Sequence, residues 1–224
     1  MSVLIDRLSS EFLPLFLAGM AINFEIAGIA LALGLVLGFL LTLARLYGGV
    51  AGTVAASAIA LMRAAPTFVV MFFLLNAIPR DATLFGEAFA LSGVMTVAIS
   101  LVPYSASYVA DSGVEALRQL RGGSPLGALL FLPNVTRAFF VLVMSSSAGA
   151  AIGVVEGITV ILRQAEHLPT LGDKLVLFAV GIVFFGIPLQ AGFVLMSFLH
   201  RYLRRAVTRD PGVAPAADFE TPDL

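Results

Sequence analysis

The chain has 224 residues, 59% of them hydrophobic and 12% charged, with a mean hydropathy of +1.01. Soluble domains carry about 25% charged residues, so this composition suits a bilayer rather than water. Cysteine is absent, which excludes disulfides, thiolate metal sites and cysteine nucleophiles. The net charge of -1 comes with no basic stripe of the kind that binds nucleic acid.

Residues 1–23 read as an interfacial lead-in broken at Pro14. Asp6 and Glu11 interrupt it and no Ala-x-Ala-like site follows a short apolar core, so a cleavable signal is not expected. Runs of about 20 apolar residues then follow, long enough to cross the hydrocarbon core as helices. They lack the period-two alternation of strands. The first span is Ile26 to Ala44, and the second lies between Ala51 and Ile78 and contains Arg63 and Pro66. Ala88 to Ala110 is the third, with a kink expected at Pro103. The fourth runs from Ala138 to Leu162 and holds Glu156; the fifth is Leu175 to Leu199, with Pro188 inside it. The expected fold is an all-α membrane domain of five helices over residues 24–205. Its one long polar connection is 111–137, and 206–224, rich in proline, alanine and acid, is expected to be a disordered tail.

Five spans place the termini on opposite sides. One side then carries Arg45, Arg118, Arg121, Arg137, Arg201, Arg204, Arg205 and Arg209, the other Arg7, Arg80, Arg163 and Lys174. The excess of basic residues marks the cytoplasmic side, giving an outside N-terminus and a cytoplasmic C-terminus.

Three charges fall inside or at the edge of the spans: Glu25 at the outer end of the first, Arg63 in the second and Glu156 in the fourth. A charge near the bilayer centre costs roughly 2.5 kcal/mol or more, so it normally faces protein or a solute path. In span four, Ser145, Ser146 and Ser147 precede Gly149, Gly153 and Gly157. Close helix packing is the simple account of such a spacing. Glu156 lies nearly on the same helical stripe and should point inward, where it could bind a cationic group, pair with a base, or sit protonated and inert. Ala21, Gly28 and Ala32 share a face with Glu25, which could equally reach interfacial water. Arg63 precedes a proline that discourages helix; it could satisfy freed carbonyls or pair with Glu156.

The segment Glu115-Ala116-Leu117-Arg118-Gln119-Leu120 is amphipathic and stops at Gly122-Gly123-Ser124-Pro125, ahead of Leu132-Pro133. A glutamate-alanine helix, a glycine about seven residues on and a later Leu-Pro resemble the coupling loop of bacterial ABC-importer permeases. Gly19-Met20-Ala21-Ile22-Asn23, Arg63-Ala64-Ala65-Pro66-Thr67 and Gly153-Val154-Val155-Glu156 resemble segments of the polar amino acid branch of that family. The order holds from about Gly19 to Arg205. The departures are Leu117 where the family has a second alanine, and Met144 where its fourth-span motif opens with lysine.

The resemblance implies a permease subunit of a type I importer in a bacterial inner membrane. Its partners would be a second permease subunit, with a heterodimer accommodating the departures, two cytoplasmic ATPase subunits holding ATP and magnesium, and an external solute-binding protein. The solute would be a polar amino acid or a relative such as an opine. Glu156, Ser146, Ser147, Arg63 and Glu25 would line the path, and Glu115, Ala116, Leu117, Gly122 and Gly123 would couple to the ATPase. This chain has no Gly-x-x-x-x-Gly-Lys-Ser/Thr loop and is not expected to be an enzyme. The alternative is a secondary transporter or channel that uses Glu156 as a proton or ion site.

Overall fold

The computed structural model describes residues 12–78, 83–84, 87–88, 91–129 and 131–208. Helix α1 is Leu13–Tyr47, with Pro14 in its first turn, where a missing N–H costs nothing. It ends at Gly48, whose φ of 79° turns the chain into α2, Gly49–Ala64. Pro66 holds Ala65 extended (ψ 115°), and α3, Thr67–Ala77, leaves at 95° to α2. A two-residue antiparallel ladder follows, β1 Thr83–Leu84 with β2 Glu87–Ala88, pairing Thr83 with Ala88.

Ser92 caps α4, Gly93–Arg121, by accepting from the Met95 N–H at 3.2 Å. The single turn α5, Pro125–Ala128, leads to α6, Phe131–Ser145. The rod continues as a 3-10 helix, Ser146–Ile152, and stops at Gly153 in the left-handed region. After an extended link come α7, Gly157–Glu166, and α8, Leu171–Thr208.

The result is an all-α membrane protein. Four stretches are long and apolar enough to cross a bilayer: Leu13–Tyr47, Gly93–Arg121, Phe131–Ile152 and Leu171–Tyr202. The α2–α3 pair, bent by 95°, is apolar enough to count as a fifth if it is taken as one broken span rather than a re-entrant loop.

Several boundaries differ from those expected, each for a local reason. Proline in a first turn does not break a helix, so residues 13–23 belong to α1 rather than to a separate lead-in. The polar stretch 111–121 continues α4 for its last turns: Glu115 and Gln119 pair along the helix (2.8 Å), and Gly113 packs against Thr42 without interrupting it. The supposed coupling helix is therefore the end of a span. The fourth crossing lies earlier than expected, at Phe131–Ile152, since Gly153 halts it before Glu156. Residues 206–208 still belong to α8. Residues 1–11, with Asp6, Arg7 and Glu11, lie outside the described residues, as do Arg80 and 209–224.

In lipid, helices associate through close packing rather than hydrophobic burial, and α1 meets α4 along a seam of small residues. A Cβ on Gly38 would stand 2.7 Å from the Ala106 carbonyl oxygen, and one on Gly113 2.7 Å from Thr42 Oγ1. Thr42 Oγ1 donates to the Gly38 carbonyl at 2.8 Å and lies 3.2 Å from the Ala110 carbonyl across the seam. Rising numbers on one helix meet rising numbers on the other, so α1 and α4 run parallel. Phe12, Phe16 and Met20 pack with Ile161 and Leu177, which sets the start of α8 beside the start of α1. One end of the bundle therefore gathers Arg45, Arg118 and Arg121, together with Arg201 and Arg205 at the end of α8. The other end holds Arg163 and Lys174 among the described residues.

Candidate functional site

Among the described residues two polar centres stand out, one buried in the apolar bundle and one open at its surface, and Glu156, Ser146 and Arg63 divide between them. The first is a buried knot where α1 meets the break before α7. Glu156 is fully buried and is the N-cap of α7. Its Oε1 accepts from the Thr159 N–H at 2.8 Å and lies 3.0 Å from Thr159 Oγ1, which also donates to the Val154 carbonyl at 2.6 Å. Oε2 accepts from the Ile158 N–H at 2.9 Å and from Asn23 Nδ2 at 3.0 Å. Asn23 Nδ2 also donates to Ser146 Oγ at 2.8 Å, and Asn23 Oδ1 accepts from the Gly157 N–H at 2.9 Å.

A carboxylate has roughly four acceptor sites, and three N–H donors converge on this one, with the Thr159 hydroxyl beside them. The free N–H groups of a helix start favour a negative group there. In this arrangement Glu156 is a capping group, with no face turned to a solute. The expected pair with Arg63 does not form, because the break after Gly153 turns Glu156 back onto its own helix. Ser146 belongs to the knot; Ser147, half-buried on the 3-10 helix, makes no side-chain hydrogen bond among the described residues. Glu25 is exposed, as are Ala21 and Ala32, so that face of α1 is bare in the single chain.

The second centre lies between α1, α2 and α4. Asp111 on α4 accepts through Oδ1 from Arg45 Nη1 at 2.8 Å, and its Oδ2 pairs with Arg63 Nη2. A cleft of about 510 Å³ opens beside this triad, lined by Arg63, Tyr104, Ser107, Tyr108, Asp111 and Ser112. The rings of Tyr104 and Tyr108 stack obliquely on one wall, 6.0 Å between centroids. An apolar hollow lies elsewhere on the bundle, between α1, α4 and the start of α6, and offers a polar solute nothing but Thr42.

Sequence reasoning found Arg63 but missed its partners. Tyr104, Ser107, Tyr108, Asp111 and Ser112 recur every three or four residues, one face of a helix. The period is present in the sequence, but a polar run beginning at Asp111 reads equally well as a loop. Asn23 carried no signal beyond being a polar residue in an apolar run.

The coupling candidates sit at the basic end of the bundle. Glu115 is exposed and Ala116 and Leu117 are half-buried on the last turns of α4. Gly122 N–H donates to the Arg118 carbonyl at 2.9 Å, and Gly123, at φ 80°, bonds to the Leu120 carbonyl at 3.1 Å. Only glycine takes that backbone conformation at no steric cost. The turn folds α5 back so tightly that a Cβ on Gly127 would lie 2.9 Å from Gln119 Cβ.

No protein-family model matches the chain, and no curated protein does. Among solved structures it is similar to a chain described as the crystal structure of an amino acid ABC transporter with histidines. Identity is 17% and the TM-score 0.63, over 84% of this chain and 94% of that one. The likeness shows the fold alone: this chain is folded like that chain of an amino acid ABC transporter.

Proposed function

We propose that this chain is the membrane-spanning permease subunit of an ATP-driven importer. Together with a second permease subunit it forms the path for a polar amino acid or a related solute such as an opine. The observation that carries this reading is the likeness in fold to an amino acid ABC transporter across nearly the whole bundle. Two features of the chain support it. A cleft lined by charged and hydroxyl groups opens on the otherwise apolar bundle near its basic end, and such groups among membrane helices often mark a solute route. The Gly122-Gly123 turn projects from the basic end, which the bias of arginine assigns to the cytoplasm. There Glu115, Ala116 and Leu117 would meet one of two ATPase subunits, which hold ATP and magnesium. ATPase closure would then switch access by rigid-body motion of the bundle, and an external binding protein would deliver the solute at the opposite end. The secondary-transporter alternative has less support, since Glu156 is fully buried and accepts three N–H hydrogen bonds from protein.

The test is isolation of the tagged chain from its native bacterial membrane in mild detergent. An ATPase subunit and a second permease subunit should co-purify in stoichiometric amounts. Recovery of the chain alone, at every detergent and nucleotide condition, would contradict the reading.

A further inference from the structure

We infer that the Arg63–Asp111 ion pair is a placeholder for a zwitterion, and that the cleft beside it binds the α-ammonium and α-carboxylate of an amino acid solute. The inference rests on the permease reading and names the groups that recognise the solute.

Charge comes first. Arg45 and Arg63 share one carboxylate, so the triad carries a net charge of +1, two guanidiniums less one carboxylate. Arg45 holds Oδ1 and Arg63 holds Oδ2, one hydrogen bond each, and a guanidinium has five N–H donors. Arg63 is 62% exposed, against 34% for Arg45. The Arg63 arm is therefore the one that opens at little cost, because exposed ion pairs contribute little, while the Arg45 arm stays to orient Asp111. In the single chain a guanidinium so exposed cannot rest against lipid tails cheaply, so its open face belongs to water, to solute or to the second permease subunit.

An entering amino acid has both complements. Its carboxylate takes the fork of Arg63, a geometry arginine is built to recognise, and its ammonium takes the released Oδ2 of Asp111. Two ion pairs become three and the site charge is unchanged. A simple amine would raise the charge to +2 and meet Arg63 unpaired. A simple carboxylate would bind Arg63 but leave Asp111 without its second partner. Ser107, Ser112 and the two tyrosines supply hydroxyls around the remainder, and a volume of about 510 Å³ falls in the size range of small-ligand sites.

The experiment uses the purified complex in lipid nanodiscs and saturation-transfer NMR. The probes are an equimolar mixture of the standard L-α-amino acids, the matching α-hydroxy acids, which lack the ammonium, and the matching primary amides, which lack the carboxylate. For the side chain that binds most tightly, the amino acid should exceed the hydroxy acid, and the hydroxy acid the amide, each step about tenfold. Arg63→Gln should weaken the amino acid at least tenfold, and Arg63→Lys, which keeps the charge but loses the fork, by less. Asp111→Asn should erase the preference for amino acid over hydroxy acid, a change that general loosening of the fold would not produce. Amides that bind as well as the amino acids, absence of binding, or an unchanged preference in Asp111→Asn would each overturn the inference. So would displacement of the amino acids by phosphatidylglycerol in place of phosphatidylcholine, which would assign Arg63 to a lipid phosphate. Retained ATP-driven uptake alongside unaltered binding in Arg63→Gln would sink this site while leaving the permease reading intact.

Discussion

Asn23 on α1 and Glu156 at the head of α7 are 133 residues apart in the chain and meet at 3.0 Å in the buried interior. The contact fastens the first span to the point where the fourth crossing breaks. Asn23 uses its carbonyl oxygen and its amide nitrogen in the same knot, on Gly157, Glu156 and Ser146. The break survives in an apolar setting because its freed backbone groups find these partners.

Replacing Asn23 by leucine keeps the branched shape with somewhat larger, apolar ends, strands the Gly157 N–H and takes one donor from Glu156. An ordinary interhelical hydrogen bond in a membrane is worth about 0.6 kcal/mol, whereas a buried group left unpaired costs about 1–3 kcal/mol. Asn23→Leu should therefore cost about 2 kcal/mol or more, seen as a lowered thermal midpoint in detergent. A midpoint equal to that of the parent would mean that the knot contributes no stability.

Gly19 and Gly28 lie on the same helix and should respond in opposite ways. A Cβ on Gly19 would stand 2.8 Å from the Glu156 carbonyl carbon and 2.9 Å from the Gly157 nitrogen, while one on Gly28 has nothing within 4 Å. Overpacking against backbone costs about 1–3 kcal/mol, so Gly19→Ala should lower the thermal midpoint by several degrees. Gly28→Ala should leave it unchanged or raise it slightly. Equal effects would show that the backbone at 156–157 yields freely.

Much of this bundle was legible in the sequence, and the misreadings have physical causes. Span count and the bend at Pro66 follow from the length of apolar runs and the stereochemistry before proline. The break at Gly153 was not foreseen. Gly149, Gly153 and Gly157 have the spacing of a packing stripe, and spacing cannot reveal that Gly153 adopts φ 85°. Glu156 was thereby aimed along a helix that had already ended. Asp111 was missed because a run of polar residues looks alike in a loop and in a helix that outlasts the bilayer. Its pairing with Arg45 and Arg63 depends on α1 and α4 running parallel, a tertiary fact.

Orientation can be read by labelling. The chain has no cysteine, and Arg118 and His167 are both exposed, at opposite ends of the bundle. Arg118→Cys should resist an impermeant thiol reagent in intact cells and react after permeabilisation, whereas His167→Cys should react in intact cells. The reverse pattern would move the α4–α5 turn to the outer face and remove it as an ATPase contact.

The turn itself gives a coupling prediction. Ala116→Trp should obstruct a close docking contact, and Gly123→Val forces a β-branched residue into φ 80°, which should distort the return toward α5. Each variant should reduce ATPase co-purification and solute-stimulated hydrolysis several-fold while the permease still assembles in the membrane. If both keep the ATPase and full stimulation, this turn does not dock it.

The most direct measurement is uptake by proteoliposomes containing the isolated complex, with ATP and magnesium supplied on the ATPase side and radiolabelled polar amino acids with their binding protein on the other. Accumulation should require hydrolysable ATP, vanish with a non-hydrolysable analogue, and be indifferent to a protonophore. Accumulation driven by a proton or sodium gradient without ATP would contradict the account.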